Sequence, residues 1–489
     1  MLQQDASRVP VIVGVGEVND RPLCDEAARD SLQLMLAALT AADTDAGGGW
    51  LERCERILVV PQLSFSEIDV PRELAVAMGR DLSAIRQAEV PSGDTPVRLL
   101  NDAANAIGAG EVTACAIVGA EAMRTALRAG KPLFPNAQKS ASELRRRYGL
   151  LQPAEIYPLY ENAFRAEEGQ SLAEGQAETG LLWSLMSEVA EGSEGAWLRS
   201  RKTPAEIIEP TTDNRPIAFP YTKLMVANAS VNQGAAVLVT SLAAARKAGL
   251  PEDRLVRIGA GAAAHEAHEA MSRAEWTTPM GMQVAIEETL SRNGLTSGDI
   301  DHVELYSCFP CVPKMARRLL DWPAERPATV HGRLTFGGGP VANYMTHAIA
   351  AMVRKLRVEG RTGFLFGNGG FCEHNHCIVL SRDALARAVF PQDYDAQAIA
   401  DARRGPIPPL TDAVEGDFPV ETYTVLYDRE GAPRQGVVLS RGPNGERVIA
   451  KVEGEDANSL AFLTDGSVEP VGKMGRNRRS GDSLIWSAQ

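Results

Sequence analysis

The chain reads as a duplicated α/β fold followed by a small β-barrel, and three observations predict this. Apolar strand-like runs alternate with helical patterns, which argues for a mostly parallel sheet covered on both faces. The pattern then starts again: one helix leads to Gly110 with Gly119 nine residues on, and a second leads to Gly360 with Gly369 nine residues on. Beyond Arg382 the composition changes to prolines and then to short strands separated by turn residues.

In order, Pro10 to Val15 (PVIVGV) is a strand and Asp25 to Ala42 a helix. Arg56 to Val60 is a second strand, Asp94 to Gly108 a helix with Pro96 in its first turn, and Ala114 to Gly119 a buried third strand. Met123 to Tyr221, charged and proline-rich, is an excursion from the sheet. The rhythm resumes with Val237 to Thr240, the helix Leu242 to Ala248, and Arg254 to Gly259. The second round comprises the helix Met282 to Asn293, the strand Val303 to Tyr306, a long apolar helix from Pro340 to Arg357, and the strand Gly363 to Phe366. The uncharged stretches Leu224 to Ala245 and Leu334 to Val353 contain Asn228, Gln233, Asn343 and His347 and read as interior segments, not membrane spans. The domains expected are residues 1–265, including the excursion 123–221; 266–385; a surface linker 386–418; and a barrel 419–489 with strands at Val420 to Tyr427, Gly436 to Ser440, Val448 to Val452 and Ser483 to Trp486.

With 489 residues and 44% hydrophobic side chains the chain can bury more than one core, and 63 acidic against 50 basic residues give a net charge of -13. That balance disfavours nucleic acid and anionic lipid as partners. Seven irregularly spaced cysteines give no disulfide framework. The polar start, Met1 to Arg8, lacks the pattern of a secretory signal, so a reducing, cytoplasmic location is expected.

Six blocks carry a family resemblance: Pro10 to Gly16, Ala106 to Met123, Val231 to Pro251, Val303 to Leu320 (VELYSCFPCVPKMARRLL), Gly337 to Ala350 (GGGPVANYMTHAIA) and Gly363 to Cys377 (GFLFGNGGFCEHNHC). In this order they resemble the thiolase superfamily, most closely the acetyl-CoA acetyltransferase-like thiolase-like proteins of type 1 with their added C-terminal β domain. The resemblance implies a five-layered αβαβα body, a coenzyme A thioester as substrate or ligand, a place in lipid metabolism, and a monomer or homodimer. It also implies where chemistry belongs. The thiolase nucleophilic cysteine falls on Gly93; Ser92, one residue away, has no base that the sequence names. The Gly-His-Pro histidine matches Tyr344, with His347 on the same helical face. The second cysteine aligns with Phe366, and the oxyanion-supporting residue with Tyr306. Cysteine acyl-enzyme chemistry is therefore not expected.

Two tyrosines remain where acid/base groups belong, as in the thiolase-like aldolases of steroid side-chain breakdown, which the chain is similar to in this respect. Tyr306 and Tyr344 are thus candidate acid/base groups, and equally are core tyrosines with satisfied hydroxyls. His347 and His374 join them as candidates, and Gly93, Gly338, Gly339, Gly369 and Gly370 as backbone that faces the ligand. No metal site is expected. Cys308 and Cys311 lack the second pair of a zinc site; the run Cys372 to Cys377, with His374 and His376, is a strand end; His265 and His268 lack the zinc-protease spacing. Gly337 to Gly339 lacks the lysine of a phosphate loop, and Lys473, Arg476, Arg478 and Arg479 read as solvated turns. Two functions stay open: carbon-carbon bond chemistry beside a CoA thioester, acyltransferase-like or retro-aldol, without the cysteine; or a silent acyl-CoA-binding scaffold with the barrel as its protein-partner module.

Overall fold

The computed structural model describes residues 5–24, 27–133 and 137–489. The body is one nine-stranded sheet made of two halves. The first half comprises β1 (Pro10–Asn19), β2 (Arg56–Val59), β3 (Ile85–Gln87), β4 (Ala114–Ala122) and β5 (Asn232–Ser241), in the spatial order β3-β2-β4-β5-β1. The second half continues as β6 (Val256–His265), β9 (His374–Ser381), β8 (Thr362–Gly369) and β7 (His302–Leu305). Among the described residues only Val11↔Arg257 and Ile12↔Val256 join the halves, so the sheet is two layers hinged along β1 and β6.

The helices complete the layers. α1 (Ser31–Asp45), started by an Asp30 capping box, covers the outer face of the first half. α2 (Thr95–Ala109) and, in the second round, α7 (Tyr344–Val358) pack against both halves and against each other, which explains why they are apolar nearly all round. Between them in sequence, α3 (Pro153–Glu167) and α4 (Leu172–Gly192) lie in the excursion, while α5 (Met280–Asn293) covers the second half outside, next to α6 (Cys311–Leu319). Gly110, at φ 71°, ends α2, and Gly360, at φ 74°, follows α7; both need the left-handed backbone that glycine adopts freely.

Two expectations change. The sheet is mixed, not mostly parallel: β4, β1, β6 and β8 all meet an antiparallel neighbour, since β5 returns from the excursion and β9 follows β8 by a tight turn, neither needing a helical crossover. The segment 386–418 is not a free surface linker. It holds α8 (Gln397–Arg403), whose Ala400 packs with Ala396 on Ala262, Ala264 and Val284.

Beyond it, β10 (Gly416–Tyr427), β11 (Pro433–Arg441), β12 (Arg447–Glu453), β13 (Met474–Ser480) and β14 (Ser483–Ala488) close a five-strand barrel in the order β10-β11-β12-β14-β13-β10. The basic cluster read as turns lies on or beside β13, with the Arg476 guanidinium donating to Asp417 at 2.6 Å. The barrel docks on the body through polar anchors that a core of apolar side chains alone would not orient. The buried Arg447 guanidinium donates to the carbonyls of Met271 (2.7 Å) and Arg273 (3.0 Å) and to Glu421 (2.8 Å). Thr422 donates to the Leu159 carbonyl of α3 at 2.5 Å, and Asn162 to the Tyr423 carbonyl at 2.9 Å.

Candidate functional site

A cleft of about 490 Å³ opens where the N-terminus of α2 meets the ends of β7 and β8 and the excursion. Its walls are Ser92 and Gly93 before α2, Tyr306 and Cys308 after β7, Asn368 to Gly370 at the end of β8, Gly339 and Val341 ahead of α7, and Tyr157 of α3. A 15-residue helix aims its N-terminus at this space, which favours negative charge there.

Gly93 and Tyr306 form one unit. A Cβ built at Gly93 would overlap the Tyr306 hydroxyl and the Asn368 carbonyl, so the phenol fills the volume that a side chain at this position would take. Tyr306 is fixed by its own N–H, which donates to the Phe366 carbonyl at 3.0 Å. Burial, with Cys308 and Asp94 beside it, pushes the phenol well above its ordinary pKa, so Tyr306 stays protonated and keeps a hydrogen to donate. Ser92 donates its hydroxyl to the Asp94 carboxylate, so its partner is an acid and not an imidazole.

The remaining candidates separate. The ring of Tyr344 meets that of Tyr306 edge-on at 6.1 Å, but its hydroxyl points away from the cleft and donates to Glu304 at 2.7 Å. The other Glu304 oxygen accepts from Thr329 (2.7 Å) and the Val330 N–H (2.9 Å). Burial raises both pKa values of this pair. His347, one turn along α7, bonds Glu17 at 2.8 Å in the interior. His374 sits on β9 beside His265, ring nitrogens 2.9 Å apart, outside the cleft. Of the glycines, Gly339, Gly369 and Gly370 line the cleft; Gly338, at φ 105°, packs against Gln233 behind it.

Three residues escaped the sequence reading. Tyr157 stacks on Phe309 with ring centroids 4.6 Å apart and donates to the Gly370 carbonyl at 3.1 Å, tying the excursion to the β8 turn. It lies in a stretch with no strand-helix rhythm, so no pattern pointed to it. Cys308, weighed in the sequence as half of a zinc site, presents the cleft's thiol; burial pushes it up to about 12, which leaves little thiolate. Arg333 is fully buried with its guanidinium 3.4 Å over the Trp183 ring and no hydrogen-bond partner among the described residues.

This fold and cleft define a thiolase-like protein. Residues 399–482 match the family model for the thiolase-like protein type 1 additional C-terminal domain. The solved monomeric SCP2-thiolase-like protein type 1 from Mycobacterium smegmatis is 28% identical, with 99% of each chain covered and a TM-score of 0.84. The chain is thus a thiolase-like protein with an added C-terminal domain. More distant in sequence, the Ltp2-ChsH2(DUF35) aldolase shares 18% identity over 78% of this chain and 100% of that one, TM-score 0.60. Human mitochondrial 3-ketoacyl-CoA thiolase, solved in complex with CoA, shares 15% over 78% of this chain and 99% of that one, TM-score 0.57. These two establish the fold. No curated protein matches the chain.

Proposed function

We propose that the cleft binds a CoA thioester and that the Tyr306 phenol donates a hydrogen bond to the thioester oxygen during carbon-carbon bond cleavage or formation beside it, without a cysteine nucleophile. The observation that carries this reading is the placement of the Tyr306 hydroxyl in the space next to Gly93, at the N-terminus of α2. A donor there stabilises the negative charge that develops on an enolate oxygen. The complementary base is the Ser92–Asp94 pair, because Tyr306 and Tyr344 are both held protonated. In the retro-aldol direction the β-hydroxyl proton leaves to that pair, the carbon-carbon bond breaks, and the electron pair moves into the enolate that faces Tyr306. Tyr344 serves as structure in this reading, its hydroxyl donating a hydrogen bond to Glu304. The ligand is lipid-derived acyl-CoA, and the chain works in the cytoplasm.

The alternative is an acyl-CoA-binding scaffold that does not turn its ligand over. It is favoured by the protonated state of the cleft's phenols and thiol alike. Two measurements separate the readings. A bound ligand at 100 times its dissociation constant stabilises the fold by about 2.7 kcal/mol, so a thermal shift with acetyl-CoA or a β-hydroxyacyl-CoA is expected under both. Turnover of the β-hydroxyacyl-CoA that Tyr306→Phe abolishes supports catalysis; a shift without turnover supports the scaffold. No shift with any thioester rejects both.

A further inference from the structure

Behind Tyr344 lies a second polar cluster that the cleft does not use. Glu17, near the end of β1, directs Oε1 at two imidazoles: His331 Nε2 at 2.9 Å and His347 Nδ1 at 2.8 Å. The three donor atoms lie within 4.8 Å of one another, and the side chains are 4%, 0% and 1% exposed. They come from a strand, the segment between α6 and α7, and the first turn of α7, which meet only in the folded chain. The backbone of Gly195 closes over the carboxylate, and Arg354 of α7 binds its other oxygen from the solvent edge.

We propose that Glu17, His331 and His347 form a binding site for one first-row divalent transition ion. Two imidazoles and one carboxylate on a common centre are the donor set of six-coordinate iron(II) and of the zinc and cobalt ions that replace it; calcium and magnesium prefer oxygen alone. The spacing fits this set. Donors about 2.0–2.1 Å from one ion and at right angles to each other lie about 2.9 Å apart, which is the separation of Glu17 from each ring. The Arg354 guanidinium then holds the carboxylate from behind, as a hydrogen-bonding residue outside the ligand set does in metal sites. The second nitrogen of each ring, His331 Nδ1 and His347 Nε2, has no protein partner among the described residues, so Glu17 is the group that orients both rings. Through the edge-on packing of His331 against Tyr344, rings 5.7 Å apart, the ion would brace the wall that Tyr306 leans on. Its role is to clamp β1 to α7, and it takes no part in the chemistry of the cleft.

The test starts from the full unmutated chain, stripped with a chelator and titrated with cobalt(II) alone. The expected result is one ion per chain, a visible d–d spectrum displaced by zinc(II), a raised melting temperature, and hyperfine-shifted N–H signals from two imidazoles in the proton NMR spectrum. His331→Gln and His347→Gln should each weaken binding by more than about 100-fold, beyond the 10–100-fold typical for residues outside the ligand set, whereas His265→Ala with His374→Ala should leave it intact. Absence of cobalt binding, binding that survives both single histidine variants, or binding without shifted imidazole signals would overturn the proposal and leave the cluster a hydrogen-bonded ion pair. The NMR readout needs no variant, so misfolding of a substituted chain cannot mask the answer.

Discussion

The two halves of the body present corresponding helices to the interior in opposite ways. α2 opens its N-terminus on the cleft at Gly93, where the space is filled by Tyr306 from the other half. α7 begins with Tyr344, whose hydroxyl turns inward to Glu304, and Asn343 ahead of it abuts Gly119 of β4. One helix start therefore opens on the cleft and the other is sealed. A duplicated fold supplies two similar positions, and the side chain at each helix start decides which becomes a site and which becomes core.

The sealed half should break first. Glu304→Leu strands the Tyr344 and Thr329 hydroxyls and the Val330 backbone N–H, and is expected to lower stability by about 3–5 kcal/mol in denaturant unfolding. In the open half, Gly93→Ala forces the Tyr306 phenol aside and should destabilise by about 1–3 kcal/mol. Adding Tyr306→Phe removes one of the two clashing oxygens, the Asn368 carbonyl remaining, and should restore at least about 0.5 kcal/mol, an interaction that a double-mutant cycle measures; strict additivity would mean that the phenol oxygen contributes nothing to the clash. Tyr344→Phe should lose about 1–2 kcal/mol of stability with thioester affinity unchanged.

The smallest difference is one of pH. Although burial opposes it, the imidazoles of His331 and His347 hold the Glu17 carboxyl well below its usual value, so the stability it contributes is full above about pH 4.3, the unfolded value, and is lost as pH falls toward the folded one. Glu304 is raised by burial, so its ionisation weakens the fold as pH rises from the same point. Glu17→Gln should flatten the acid limb of the stability curve, and Glu304→Gln the limb above it; equal slopes in both variants would contradict these assignments.

Much of this fold was legible because apolar runs are local signals. Ile12, Val59, Ile117 and Phe364 all sit in strands where the periodicity places them. Strand β13 (MGRNRRS) was missed because its side chains alternate between glycine or asparagine inside and arginine outside, a pattern without an apolar face. At the site, Tyr306 and Gly93 come together as position within the family blocks implies, whereas Tyr344, His347, His374 and Gly338 do not reach the cleft. Helix register alone gives the shared face of Tyr344 and His347; only the packing of β7 and β1 against it reveals that Glu304 and Glu17 take their polar atoms. Glu17 lies 314 residues from His331 and 330 from His347, beyond any motif's reach.

The Arg447 anchor reaches further than its own domain. Because it grips main-chain carbonyls at 271 and 273 while Thr422 and Asn162 stitch the barrel to α3, the appended module is a buttress for the helix that carries Tyr157. A chain truncated before the barrel would bare that helix and slacken one side of the cleft, so the barrel is a condition for the body to keep its shape.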